Sequence, residues 1–297
     1  MNTKSFIADP QANLTTIRDP MVVTVGNTYY LTGTQPPYWK GENAGVHLWS
    51  SEDLVHFTDH GLILRREDLP ASAWCRDRFW APELFVFGEG KYLLTFNCRN
   101  ESTGHPHNTG LARAKDITGP YEILTKDHPL PHPLETCNDA TMFRDDDGSL
   151  WMGFNNTAAR LLLHRFDPET LILSDPQEVA VKGEEGQWDS IGVEGQCIVK
   201  RHGIYFQWYS SWTHGYNAGI LTASSIRGPW KKACENPILG DCADFHHAGH
   251  NHAFRAPDGK DYIIFHACST AEEGFIERMF IREVRYLPSG QVELVQD

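Results

Sequence analysis

The chain has 297 residues, 40% of them apolar, with 26 Lys and Arg against 39 Asp and Glu for a formal charge of -13 at pH 7. A balance this acidic excludes polyanionic partners, so neither nucleic acid nor an acidic membrane surface is expected to bind, while a neutral or cationic ligand is. No run approaches the ~18 consecutive apolar residues of a membrane-spanning helix, and the seven Cys are scattered, without a CxxC pair, as reduced thiols are.

Taken in chain order, the first segment, MNTKSFIADPQANL, has no apolar stretch of the kind that opens an export signal. The expectation is a cytoplasmic protein. From Asp19 onward one pattern repeats five times: DPMVVTVGNTYYLTG, PELFVFGEGKYLLTFN from Pro82, DATMFRDDDGSLWMGFN from Asp139, EGQCIVKRHGIYFQWYS from Glu194 and HNHAFRAPDGKDYIIFHA from His250. Each segment runs through a short apolar strand into a Gly-containing turn and then a second, aromatic strand. Such turns are hairpin signals, because Gly, Asn and Asp tolerate positive φ. With Asp19, Glu83, Asp139, Glu194 and His250 as anchors, the steps are 64, 56, 55 and 56 residues.

A hairpin needs about half of each step, which leaves room for two outer strands; SSEDLVHFTDHGLIL, ITGPYEIL and IRGPWKKACENPIL read as such. REDLPASAW offers at most one helical turn. Five four-stranded units repeated radially make an all-β, five-bladed β-propeller with antiparallel blades, spanning residues 1–297 as one domain. The period is too long for repeats of the WD type, and their GH and WD signatures are missing.

In a propeller the first strand of each blade lines the axis, so the anchors converge although they are distant in sequence. Four of them, Asp19, Glu83, Asp139 and Glu194, are acidic. Carboxylates crowded around one axis repel and spread their pKa values, which suits a reaction that needs one ionised and one protonated at the same pH. Glycoside hydrolysis is such a reaction.

The openings IRDP, WAPEL, NDATMFRDDDG, VEGQCIVKRHGIYFQWYS and GHNHAF, with the outer phrases SSEDLVHFTDHG, TGPYEIL and RGPWKKACENPIL, resemble those of glycoside hydrolase family 43 from about Ile17 to the C-terminal REVRYLPSGQVEL. The resemblance implies a five-bladed propeller that hydrolyses arabinose- or xylose-type, or galactose-type, oligosaccharides with inversion. It further implies Asp19 as general base, Glu194 as general acid and Asp139 as the third carboxylate, orienting the acid and tuning its pKa. It brings Trp80 and Glu83 of WAPE, His250 of GHN and Arg278 of ERMFIREV near the substrate. His250 is also implied as a ligand of a structural calcium or other cation on the axis; no cofactor is needed for the chemistry. Trp39, Trp74, Trp188 and Trp212, in polar loop-like surroundings, are candidate walls for a sugar ring.

Two other readings stand beside this one. The cluster His246, His247, His250 and His252, with Asp241 and Asp244, suggests a metal-dependent hydrolase, though without HExxH or another zinc spacing. A propeller that binds carbohydrate without cleaving it is the second, against which stands the full set of three carboxylates. A fructan hydrolase lacks its WMNDPNG and EC companions here, and a phosphorylase lacks a basic phosphate pocket.

Overall fold

Each expected hairpin forms, and each turns on a glycine at positive φ: Gly26, Gly90, Gly148, Gly203 and Gly259 lie between 61° and 84°. The computed structural model describes residues 7–88, 90–130, 136–156 and 158–295; Met1–Phe6 of the N-terminal segment and Glu89 of the GEG turn fall outside them. Blade one comprises β1 (Arg18–Val25), β2 (Thr28–Thr34), β3 (Gly45–Ser51) and β4 (Thr58–Arg65). Blade two comprises β5 (Trp80–Gly88), β6 (Lys91–Asn100), β7 (His105–Ala114) and β8 (Glu122–Ile123), and blade three β9 (Asn138–Arg144), β10 (Leu150–Asn155), β11 (Arg160–Asp167) and β12 (Ile172–Val181). Blade four comprises β13 (Glu194–Arg201), β14 (Ile204–Ser211), β15 (Asn217–Ala223) and β16 (Lys231–Lys232), and blade five β17 (Phe245–Arg255), β18 (Asp261–Ser269), β19 (Glu277–Tyr286) and β20 (Val292–Leu294).

In every sheet the strands follow chain order and pair antiparallel, and the first strands of neighbouring blades pack on one another around the axis. The outer strands fall where expected, in β4, β8 and β16, and REDLPASAW holds only the short 3-10 turn Arg66–Asp68. The protein is a five-bladed β-propeller.

Its apolar residues form five clusters, one at each seam between adjacent blades. Leu48, Phe79 and Phe96 join blades one and two; Leu111, Met152 and Phe154 join two and three; Trp151, Leu163 and Tyr209 join three and four. Trp208, Phe206 and Phe265 join four and five, and Trp49, Tyr29 and Ile264 close the ring between five and one. The closing seam is reinforced by the N-terminal segment. Ile7 N–H donates to Met279 O at 3.0 Å, and Trp49 Nε1–H to Ala12 O at 2.9 Å. Every blade therefore depends on its neighbours for half of its core.

Candidate active site

The five inner strands share a defect that builds the site. In each, three residues oppose two on the partner strand: Arg18 pairs with Thr34 but Met21 with Thr32, Trp80 with Asn97 but Glu83 with Thr95. The same extra residue recurs between Asn138 and Thr141, Glu194 and Cys197, and Gly249 and His252. At each bulge one residue takes left-handed φ: Asp19 (48°), Ala81 (41°), Asp139 (51°), Gly195 (60°) and His250 (45°). A non-glycine residue in this region costs about 1–2 kcal/mol, and bulges of this kind re-aim side chains. The equivalent positions are thus Asp19, Ala81, Asp139, Gly195 and His250. This corrects two of the expected anchors: Glu194 stands one residue before its bulge and Glu83 two after.

The second strand of the preceding blade caps four of these bulges. Ala81 N–H donates to Thr34 Oγ1 at 2.7 Å, Asp139 N–H to Asn97 Oδ1 at 3.0 Å, His250 N–H to Ser210 Oγ at 2.8 Å, and Asp19 N–H to His266 Nδ1 at 3.1 Å. The fourth blade differs. Gly195 N–H donates to the Asp139 carboxylate instead, and Asn155 Oδ1, which occupies the equivalent capping position, is buried without a partner among the described residues. A Cβ on Gly195 would stand 3.2 Å from the His250 ring, so the backbone there passes close beneath the imidazole.

Asp19, Asp139, Glu194 and His250 come together at the head of the axis. His250 Nδ1 lies 3.2 Å from Asp19 Oδ1 and 4.0 Å from Asp139 Oδ2. Asp19 also accepts from Thr34 Oγ1 at 2.6 Å and faces the Arg18 guanidinium at 4.0 Å. Burial alone would raise its pKa; His250, Arg18, His266 and the Thr34 hydrogen bond outweigh burial and bring it down to about 2. Glu194 goes the other way, to about 7, through burial and the repulsion of Asp139. Asp139 itself is raised by burial, but Asn97 Nδ2–H, at 2.6 Å, and Gly195 N–H both donate to its carboxylate and favour its charged form. The proton shared by this pair therefore rests on Glu194. One carboxylate is held ionised and another protonated, on blades one and four.

Several residues of the network were not singled out from the sequence. Arg18 Nη1–H donates to the buried Glu277 at 2.5 Å and Nη2–H to Tyr216 OH at 3.3 Å, while Tyr216 OH donates to Glu194 Oε1. A single guanidinium thus links the strand of Asp19 to the side chain of Glu194. Thr34, Asn97 and His266 lie on second strands fifteen or sixteen residues beyond a bulge. That offset is a usable signal. Tyr216 reaches in from the β14–β15 loop and has none.

The remaining candidates divide. Glu83 lies on the axis below the carboxylates, in a cavity of about 450 Å³ that it lines with Thr141, Cys197 and His252. Burial raises its pKa to about 8. Trp80 is buried, its ring against His107 at 4.6 Å and its Nε1–H donated to Tyr38 O, and so serves packing. Trp74 is buried and donates to Thr125 O, and Trp188 packs on Tyr209 at 5.2 Å. Neither is a wall. Trp39 and Trp212 remain exposed on the face where the inner strands begin.

Arg278 is a correction: it donates to Glu272 at 2.8 Å and to Thr15 O, and among the described residues forms no ion pair with Asp19, Asp139 or Glu194. The guanidinium beside the acids is Arg18. The two-residue alternation of β19 explains the difference, since it turns Glu277 inward and its neighbour outward.

The histidine cluster does not converge. His246 and His247 stack edge-on at 5.0 Å, and His247 also packs on Phe275. His252 lines the cavity near Glu83, and only His250 of the four reaches the carboxylates. Asp139, Glu194 and His250 offer donor atoms within 4.8 Å of one another, so their chemistry suits a cation. A cation that took Glu194 as a ligand would hold it ionised, against the protonated form that burial and Asp139 favour.

A family model described as "Glycosyl hydrolases family 43" matches residues 14–292. The chain is 28% identical to a β-D-galactofuranosidase of Aspergillus niger over 88% of its length and 74% of that protein's. It is 25% identical to an extracellular endo-α-(1→5)-L-arabinanase of Thermotoga petrophila over 89% and 68%. Among solved structures, a thermostable family-43 glycoside hydrolase superposes with a TM-score of 0.81 at 25% identity, covering 98% of this chain and 96% of the other. An endo-1,4-β-xylanase of Bacteroides thetaiotaomicron gives 0.79 at 25% identity over 95% of both. With this match across nearly its whole length, and with the carboxylates at the head of its axis, the chain belongs to glycosyl hydrolases family 43 and is a glycosidase that needs no cofactor for catalysis.

Proposed function

We propose that this glycosidase releases arabinose- or xylose-type sugars from short oligosaccharides, inverting the anomeric carbon, with Asp19 as base and Glu194 as acid. The observation that carries the reading is the opposite tuning of two carboxyls on different blades, about 2 for Asp19 and about 7 for Glu194. Asp19 accepts a proton from water as the water oxygen bonds to the anomeric carbon. The bond from that carbon to the leaving oxygen breaks, and Glu194 gives that oxygen its proton. The step ends with Asp19 protonated and Glu194 ionised, and solvent restores both. Asp139 keeps the proton on Glu194, and Tyr216 fixes one oxygen of that carboxyl so that the other faces the leaving group.

The sugar class follows the relatives, which are named for arabinan, xylose or arabinose, and galactofuranose. Galactofuranose has the five-membered ring of arabinofuranose and stands as the second reading, supported by the 28% identity to a galactofuranosidase. A cytoplasmic location is part of the proposal and is supported by seven unpaired cysteines, of which Cys234 and Cys242 are exposed; two relatives are named as extracellular.

The test is a panel of 4-nitrophenyl glycosides. Turnover of the α-L-arabinofuranoside or β-D-xylopyranoside, lost in Asp19→Ala, is the expected result. Turnover of the β-D-galactofuranoside alone selects the second reading. A folded protein that binds these sugars and cleaves none is a binding propeller, and the proposal fails.

A further inference from the structure

Beyond the carboxylates, two of the exposed large apolar side chains stand beside the general acid. Trp212 (38% exposed) and Ile191 (53%) flank the start of β13, where Glu194 stands. Their position follows from the strand pairing. Glu194 pairs with Ser210, so continuing the two chains outward sets Gly192 opposite Trp212. At about 3.3 Å per residue, this places Trp212 roughly 6–7 Å beyond the level of Glu194, about the span of one sugar ring.

The indole is seated with care. It lies on Gly192, where a Cβ would stand 2.3 Å from its Cη2, so no larger residue fits beneath it. Its loop is tied to the same segment: Ile191 N–H donates to Thr213 Oγ1 at 3.0 Å, and Thr213 Oγ1 lies 3.1 Å from Ser211 Oγ. One face of the ring is thus fixed against backbone while much of the ring stays open to solvent. Among the described hydrogen bonds none takes its Nε1–H, which leaves a donor at the edge of an apolar plane. A sugar ring presents the complement, a face of C–H groups rimmed by hydroxyls.

What lies outward of the general acid must be the part of the substrate that receives its proton. We propose that Trp212, seated on Gly192 and flanked by Ile191, is the stacking platform for the leaving-group sugar, and that it makes the enzyme prefer an oligosaccharide over a substrate without a second ring. This rests on the assignment of Glu194 as the acid. It adds which side of the cleaved bond the indole serves.

The test compares two substrates that share the sugar transferred to water. (1→5)-α-L-arabinobiose carries a leaving-group ring, and α-L-arabinofuranosyl fluoride carries none; xylobiose and the matching xylosyl fluoride replace them if the enzyme releases xylose. Trp212→Ala is expected to lower kcat/KM for the disaccharide by about 10- to 100-fold and to leave fluoride hydrolysis within about twofold. Gly192→Ala, which keeps the indole but pushes it off its seat, is expected to show the same selective loss. Equal losses on both substrates, or an unchanged disaccharide rate in both variants, would overturn the proposal. If Trp212→Ala fails to fold, Trp212→Phe and Gly192→Ala carry the comparison. Failure of the assignment beneath it looks different: Glu194→Ala would then cleave the disaccharide as fast as the wild type.

Discussion

At the scale of single residues, the site is a problem in placing one proton. Three carboxyls and an imidazole share a small volume, and their neighbours decide which of them is charged. Asp19 has a guanidinium, two histidines and a hydroxyl; Asp139 has His250, an amide and a backbone N–H; Glu194 has His250 and one phenol. The acid must hold its proton, so activity is expected to fall as pH rises through about 7, and the acidic limb, set by Asp19 near 2, lies far below it.

Two substitutions should move the alkaline limb in opposite directions. Asp139→Asn removes the repulsion that raises Glu194 and should shift the limb down by about one pH unit or more. Tyr216→Phe removes a donor to Glu194 that favours its ionised form, and should shift the limb up by about one unit. A pH–rate profile of kcat/KM checks both, and shifts of the same sign would contradict the assignment.

How much of this was legible in the sequence depends on what each residue needs from its surroundings. Asp19, Asp139 and His250 carry a polar group at the repeated strand opening, so period and motif together find them. Arg18 sits in the quoted IRDP motif, but its role requires Glu277 and Tyr216, which are distant in sequence and meet it only in space. The motif ERMFIREV points to Arg278 although Glu277 is the side chain that faces inward, because a one-residue offset on a strand changes the face and the motif does not display which face that is. Trp74 looked like a wall because its neighbours are polar, yet its indole is buried and spends its N–H on a backbone carbonyl.

At the scale of elements, the five bulges are the working unit. The sequence showed five hairpins and their turns, since Gly, Asn and Asp state their own backbone preferences. It could not show the bulges, because left-handed φ is taken here by Asp, Ala, Gly and His alike. Taking acidity as the marker put Glu83 and Glu194 in a ring to which Ala81 and Gly195 belong. The equivalence makes a prediction of opposite signs. Ala81→Gly relieves a left-handed alanine and should stabilise by up to about 1 kcal/mol. Gly195→Ala adds that strain and presses a methyl on His250, so it should destabilise by about 1–3 kcal/mol and lower kcat. Urea unfolding of the two variants checks this. Equal and opposite results, with Ala81→Gly the less stable, would show that the bulges are not equivalent.

At the scale of the whole molecule, the ring shape carries chemistry and stability together. Each blade supplies one inner strand to the axis and half of the core at each of two seams, so the carboxylates hold position only while the ring is closed. The axis also holds a carboxyl to which the proposed mechanism gives no role. Glu83 keeps a proton up to about pH 8 in the folded protein, whereas its ordinary value is 4.5. A carboxyl raised in this way contributes stability at low pH, and the contribution is lost as pH rises from about 4.5 through 8. The thermal midpoint is therefore expected to fall across that range, and Glu83→Gln, which cannot ionise, should flatten the decline. A midpoint that rises with pH to the same extent in both proteins would contradict the assignment.

The central claim is that Asp19 activates a water against the anomeric carbon while Glu194 protonates the departing oxygen. Its most direct test is proton NMR of the sugar first formed from the nitrophenyl glycoside that the enzyme turns over, recorded before mutarotation. The account predicts a product of inverted anomeric configuration, and a loss of at least about 10²- to 10⁴-fold in Asp19→Ala on every substrate. A first-formed sugar of retained configuration, or near-normal turnover by Asp19→Ala, would contradict it.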